Sequence, residues 1–126
     1  MKLYLQQRLL FTTLGLEHSG KRISLDKVLV DTGSAATLFQ TEILESIGIV
    51  YAPNDEVHEV FGVGGSELVF QKRIEKIVCG ELEVHDFAVE VGWLDYGIQL
   101  NGIIGLDFLL ATRAVLDLGI LEQQFC

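Results

Sequence analysis

Residues 28–39, VLVDTGSAATLF, constrain the fold of this chain more than any other stretch. Aliphatic residues run directly into Asp31-Thr32-Gly33-Ser34, so an apolar strand ends at a carboxylate. An ionised carboxylate beside apolar surface loses hydration, and N–H groups, hydroxyls or a shared proton must compensate. Gly33 permits a turn that points amides at the carboxylate, and the Ser34 hydroxyl can donate to it. Asp-Thr-Gly alone also fits an ordinary turn. Whether this tripeptide is a functional site therefore depends on the rest of the chain.

The size and charge of the chain narrow the classes of protein to which it can belong. Its 126 residues and 49% hydrophobic content predict one globular domain over residues 1–126. The net charge of −9 argues against a nucleic-acid partner, because phosphate binding needs a surplus of Lys and Arg. We attribute this acidity to solubility.

The sequence predicts a cytoplasmic protein with no membrane partner. Cys79 and Cys126 are too few for a disulfide framework, so reduced thiols are expected. No run approaches the roughly 18 apolar residues that span a bilayer. Gln6, Gln7 and Arg8 interrupt the apolar N-terminal stretch, which therefore predicts a strand and not a signal peptide.

Strands dominate the first half of the chain. Residues 3–16 and 23–30 have strand character on either side of a polar break, which predicts a hairpin that delivers Asp31. Phe39, Ile43 and Ile47 recur at four-residue spacing and predict one short helix, with Thr41 as its cap and Gly48 as its stop.

A glycine-tipped ribbon follows the loop at residues 51–56. In VHEVFGVGGSELVFQKRIEKIV, two strand-like runs flank Gly62-Val63-Gly64-Gly65, which predicts a long, mobile hairpin. A phosphate-binding loop is the rival interpretation, but such a loop should open a helix and residues 66–77 look like a strand.

The second half of the chain predicts more strands around one loop. Residues 82–91 form a strand and residues 92–101 a loop, in which Trp93 and Tyr96 line a pocket or cover an edge of the core. NGIIGLDFLLATRAVLDL predicts a strand at 102–105, a helix at 106–113 and a strand at 114–118. Ile103-Ile104-Gly105 resembles Leu29-Val30-Asp31-Thr32-Gly33, because in both an apolar pair runs into glycine and a short helical segment follows. This internal echo hints at a duplicated half-domain.

The order of these parts resembles that of the retropepsin-like aspartic proteases, including retroviral proteases and small single-domain bacterial relatives. An apolar strand enters DTGS, a glycine-tipped ribbon follows, and GIIG precedes a helix and AVLDL. The likeness covers about residues 3–118. It implies an all-β, closed, barrel-like acid-protease fold with one or two short helices.

The resemblance also implies roles for individual residues. Asp31 matches the catalytic aspartate, Thr32 the residue that ties two active-site loops together, Gly33 the amide donor, and Ser34 a residue that hydrogen-bonds the outer oxygen of the aspartate. The remaining matched positions are the substrate-binding flap, Phe61, Gly62, Val63, Gly64 and Gly65, and the structural support beneath the loop, Ile103, Ile104 and Gly105.

Proteolysis of this type needs two facing carboxylates, and the chain has one DTG. Asp107 and Asp117 are not followed by Thr-Gly, so the second carboxylate must come from a second copy. The resemblance thus implies a homodimer that uses water to hydrolyse a peptide or protein substrate, without metal or cofactor. The three histidines are scattered and lack metal-ligand spacing.

Two other functions are rivals to proteolysis for a sequence of this kind. Actin-like ATPases also end an apolar strand in a similar motif, but their two large lobes exceed the length of this chain. A non-catalytic peptide-binding or dimerisation module of the same fold remains the alternative, and an assay for peptide cleavage separates it from an endopeptidase.

Overall fold

The computed structural model describes residues 1–62, 65–95 and 97–124. Its strands are β1 (Leu3–Gln6), β2 (Leu9–His18), β3 (Lys21–Val30), β4 (Leu38–Gln40), β5 (Val57–Gly62), β6 (Gly65–Cys79), β7 (Leu82–Gly92) and β8 (Gly102–Ile104). Its helices are α1 (Thr41–Glu45), α2 (Leu106–Thr112) and α3 (Leu118–Gln124). None of the helices in this part of the chain combines the length and apolar character that a bilayer crossing requires.

The strands form a closed barrel, which confirms the all-β, barrel-like expectation. Hydrogen bonding runs in the order β2, β3, β8, β4, β7 and β6, and the pairing of β6 with β2 closes the circle. Closure leaves β1 and β5 outside, as flanking strands on β2 and β6. Most neighbours are antiparallel, but β3 pairs with β8, and β4 with β7, in parallel.

Tight turns divide the N-terminal region into three strands. Gln7 and Arg8 both have positive φ, 53° and 64°, which matches the twist that a two-residue hairpin requires. The stretch predicted as one strand is therefore a hairpin of β1 and β2. A second turn at Ser19 and Gly20 joins β2 to β3 and confirms the predicted hairpin that leads to Asp31.

The strands at the centre of the sheet are buried on both faces. Alternate residues of β3, β4 and β8 belong to two apolar clusters. Val28, Val30, Phe39 and Ile104 face the larger cluster, and Leu29, Leu38 and Ile103 face the smaller one. Burial on both faces explains why these segments are continuous apolar runs.

The C-terminal region differs from the sequence prediction. Residues 114–117 form no strand, and the third helix, α3, begins at Leu118. Arg113 ends α2 in the left-handed region with φ of 55°, while Asp117 Oδ1 accepts hydrogen bonds from the amides of Gly119 and Ile120. This carboxylate cap starts a helix where apolar alternation suggested a strand.

The helix at residues 41–45 was predicted, but its cap was not. Thr41 is the first helical residue and the preceding Gln40 occupies the cap position without a side-chain hydrogen bond. Gly48 follows the helix with φ of 84°, a conformation that glycine adopts without strain.

Candidate active site

Asp31 lies where β3 leaves the sheet. Its amide donates to Ile104 O at 3.0 Å, one step beyond the parallel pairing of Val30 with Ile104. The Asp31 amide is thus the last backbone group of this segment that hydrogen-bonds to β8. Its side chain is partly exposed, although the preceding strand is buried.

A short turn orients the Asp31 carboxylate. Gly33 N donates to Asp31 Oδ1 at 2.9 Å, and Ser34 N donates to Asp31 O at 3.1 Å. A Cβ at position 33 would lie 3.2 Å from Oδ1, tighter than ordinary contact. Glycine at this position therefore lets the amide approach the carboxylate.

The Ser34 hydroxyl has a different partner from the one expected. Ser34 Oγ donates to Ala36 O at 2.8 Å and so closes the loop on itself, instead of donating to the Asp31 carboxylate. Thr32 and Gly33 are both exposed on the outer surface of the loop. The predicted role of Thr32 requires a second copy and stays a prediction.

A part-buried pair, Thr37 and Asp107, ties this loop to α2, and no local sequence pattern signals it. Thr37 Oγ1 donates to Asp107 Oδ1 at 2.7 Å, and Thr37 N donates to Asp107 Oδ2 at 3.2 Å. Asp107 Oδ1 also accepts from the amide of Phe108 at 2.7 Å. Both carboxylate oxygens are thus occupied, which suits a structural role and leaves Asp107 poorly placed to bind a reacting water.

Gly105 passes close beneath the loop. Its amide donates to Thr37 Oγ1 at 3.1 Å, and the next amide, that of Leu106, donates to Ser34 O at 2.7 Å. A Cβ on Gly105 would lie 2.3 Å from Ala36 O, closer than any real contact. The apolar Ile103 and Ile104 before it are buried, so the segment predicted as support lies against the loop.

The glycine-tipped ribbon consists of β5 and β6. They pair antiparallel from Val57 with Phe70 to Gly62 with Gly65, in agreement with the predicted hairpin. Val63 and Gly64, two of the five predicted flap residues, lie outside the described residues. Of the other three, Phe61, Gly62 and Gly65, only the backbone belongs to the described structure.

Ion pairs at the base of the ribbon join it to its neighbours. His58 Nδ1 lies 2.9 Å from Glu90 Oε1 on β7, and His58 Nε2 lies 3.3 Å from Glu56 Oε2. The hydrogen bond to Glu90 raises the pKa of His58, and the charges of Glu90 and Glu56 add to this effect. Lys72 Nζ lies 2.9 Å from Asp55 Oδ2 and lowers the pKa of that carboxyl.

Other candidate groups do not form a second site in the described residues. No three His, Cys, Asp or Glu side chains gather there in positions that could hold a metal ion. Cys79 is buried, and its burial raises the pKa of the thiol. Trp93 is exposed at the end of β7, and Tyr96 lies outside the described residues.

Comparison with known proteins agrees with this geometry. Residues 14–108 match the sequence model of a family described as Aspartyl protease. The match includes the Asp31 loop, the ribbon, and the start of α2 with Asp107. No curated protein matches the chain closely enough to count as a relative.

Proposed function

The chain belongs to the retropepsin-like aspartyl protease family, and from this premise we propose that it is an aspartic endopeptidase that works as a homodimer. Asp31 is the catalytic residue, and each copy contributes one. The observation that carries the proposal is the state of the Asp31 carboxylate: it ends a buried strand, is partly exposed, and is oriented by Gly33 N at 2.9 Å.

Asp107 and Asp117 differ from Asp31 in what they bind. The Asp107 carboxylate accepts hydrogen bonds from Thr37 and from the Phe108 amide, and the Asp117 carboxylate caps α3. In the described part of the chain, the Asp31 carboxylate accepts only the hydrogen bond from Gly33 N, so its outer oxygen is free to meet water or a second carboxylate. This contrast supports one catalytic aspartate per chain and hence a dimeric site.

The chemistry follows from bringing two such carboxylates together. Like charges in close contact cannot both ionise without a large cost, so the pair holds one proton. The ionised Asp31 removes a proton from a bound water, which attacks the scissile carbonyl carbon, while the protonated Asp31 donates to the carbonyl oxygen. Collapse of the tetrahedral intermediate breaks the C–N bond, with a proton passed to the leaving amine. Water supplies the new hydroxyl, so this step needs no metal or cofactor.

We further propose that an extended peptide or protein segment is the substrate and that residues 61–65 act as a flap. The paired strands β5 and β6 support this proposal, because a hairpin can close over an extended chain and exclude water. We place Thr32 at the contact between the two active-site loops, since its side chain lies on the outer surface of its own loop.

Replacement of the catalytic carboxylate tests the proposal. We expect Asp31→Asn to reduce cleavage of a denatured protein mixture at least about 100-fold, because the amide cannot act as general base. Peptide release should be measured by mass spectrometry between about pH 4 and pH 6, where a shared-proton pair is expected to function. Circular dichroism of both proteins should be the same.

A matched control removes a carboxylate elsewhere. Asp86 is exposed on β7, and its φ of 51° suits asparagine. Asp86→Asn therefore removes the same charge as Asp31→Asn and leaves the Asp31 loop unchanged. We expect this variant to cleave like the wild type. Cleavage that survives Asp31→Asn would overturn the mechanism. A dimer without any cleavage would favour the alternative of a non-catalytic peptide-binding module.

We also propose a cytoplasmic location. The cysteine content supports it, because two cysteines are too few for a disulfide framework. Fractionation of cells that make the tagged chain should recover it with cytoplasmic markers, and recovery in the secreted fraction would overturn this location.

A further inference from the structure

The end of the sheet that presents Asp31 is flanked by exposed leucines on both sides. β2 is antiparallel to β3, with Phe11 opposite Leu29, so β2 begins where β3 ends and Leu9 lies beside Asp31. β8 is parallel to β3, so Leu106, which follows β8, lies on the other side. Leu9 is 37% exposed and Leu106 is 40% exposed.

On α2, Leu106 has an exposed apolar neighbour. Leu110 lies one turn after Leu106 on α2 and on the same face of the helix, because residues four apart are superimposed along a helix. The opposite side of α2 buries Phe108. Leu9, Leu106 and Leu110 are called here the leucine flanks.

We propose that the leucine flanks form the interface with a second copy of this chain. The inference rests on the proposed function, in which both Asp31 side chains meet on a two-fold axis. A stable interface buries about 800 Å² per partner, which corresponds to a patch about 16 Å in radius. Neighbouring strands are only about 4.8 Å apart, so a patch centred on Asp31 must include Leu9 and Leu106.

The distribution of charge also favours a second copy as the occupant. Each chain carries −9, so two copies repel each other wherever carboxylates would face carboxylates. Between Asp95 and Asp117 the sequence contains one acidic residue, Asp107, and its carboxylate is bound by Thr37. The exposed face of α2 is thus a surface on which two acidic chains can approach closely.

Sedimentation of variants that place a charge on the leucine flanks, in the Asp31→Asn background, tests this interface independently of catalysis. We expect the parent to be a dimer, and Leu9→Glu or Leu110→Glu to raise its Kd at least about 100-fold, since each substitution occurs twice in the interface. The matched control is Leu68→Glu on the ribbon: Leu68 is 70% exposed and Leu110 is 68% exposed. The control should keep the Kd within about threefold of the parent, as expected for a surface change outside the interface.

The outcomes separate this inference from the proposed function. If either flank variant keeps the parent Kd, or if Leu68→Glu dissociates the dimer equally, the leucine flanks are not the interface, whereas homodimeric proteolysis still stands. If the chain with Asp31 intact cleaves peptide as a stable monomer, the dimeric mechanism itself is wrong. With Asp31 intact, Leu110→Glu should lose activity at low protein concentration and regain it at high concentration. Activity that does not depend on concentration overturns the interface.

Discussion

The Asp31 loop and the β5–β6 ribbon lie in the same barrel but are held by different kinds of contact. The loop is tied to α2 by short hydrogen bonds among Thr37, Gly105 and Asp107, with Thr37 fully buried. The ribbon is joined to its surroundings through ion pairs near its base, including those of His58 and Lys72. Removing one partner of a buried hydrogen bond leaves the other unsatisfied and costs much free energy, whereas the ion pair of the half-exposed His58 depends on the protonation of its imidazole.

This difference suits the two regions to different tasks in the proposed mechanism. A catalytic carboxylate has to stay in one position, because a small displacement from the reacting atoms costs much of the rate. A flap has to open and close, so polar contacts at its base are compatible with that movement. Three substitutions test this difference.

The largest effect is expected where the loop touches its support. In Gly105→Ala the new Cβ would lie 2.3 Å from Ala36 O and 2.9 Å from Ser34 O, so the backbone has to move. We expect a loss of about 3 kcal/mol in the free energy of unfolding, together with most of the activity. Urea denaturation measures the first quantity and peptide cleavage the second.

Gly15→Ala is the control for this substitution. The nearest atom to a Cβ at position 15 is Ile23 O at 3.7 Å, an ordinary contact. This change should alter the free energy of unfolding by less than about 1 kcal/mol. Equal effects of the two alanines would show that the close approach at Gly105 does not matter.

A smaller loss is expected from removal of the Thr37 hydroxyl. Thr37→Val keeps the shape of the side chain but leaves Gly105 N without its acceptor and Asp107 Oδ1 without one donor. We expect a loss of about 2 kcal/mol in the free energy of unfolding. Thr37→Ser keeps the hydroxyl and loses one methyl group, so its cost should be nearer 0.8 kcal/mol, roughly that of one buried carbon. A valine variant as stable as the serine variant would contradict this role.

The smallest effect belongs to the ribbon and depends on pH. The pKa of His58 is raised in the folded protein, so its pairing with Glu90 stabilises the fold fully below the unfolded pKa of 6.5. That contribution is lost as the pH rises through the folded pKa. The stability difference between wild type and His58→Gln should therefore be largest near pH 6 and shrink above it, in roughly the range where histidine titrates. Thermal unfolding at several pH values measures this difference.

His85→Gln supplies the comparison for that series. His85 is an exposed histidine on β7 and its partner Glu83 is also on the surface. We expect a smaller loss of stability near pH 6 than for His58→Gln, because the partner of His58, Glu90, is buried. If both variants lose equal stability at that pH, the pair at the base of the ribbon has no special role in stability.

Much of the fold was predictable because its signals are local. The hairpin that leads to Asp31, the ribbon, the strand from residue 82 and the helix after Gly105 follow from alternation, glycines and apolar spacing over a few residues. The predicted strand at residues 114–118 was wrong because apolar alternation competed with a cap by Asp117, and the cap prevailed.

The candidate site was predictable only in its first residues. Asp31 and Gly33 are neighbours, so the turn that joins the Gly33 amide to the carboxylate could be inferred from their spacing. The partner of Ser34 could not be inferred, because a serine hydroxyl can donate to a carboxylate or to a backbone carbonyl, and loop geometry selects Ala36 O.

The amino-acid sequence establishes that an apolar run ends at one Asp-Thr-Gly and that the chain holds no second motif of this type. What holds that aspartate in place depends on tertiary contacts. Thr37 and Asp107 are 70 residues apart, and no local pattern relates them. They meet because β3 and β8 pair in parallel and leave the sheet at the same end, which brings the start of α2 under the Asp31 loop.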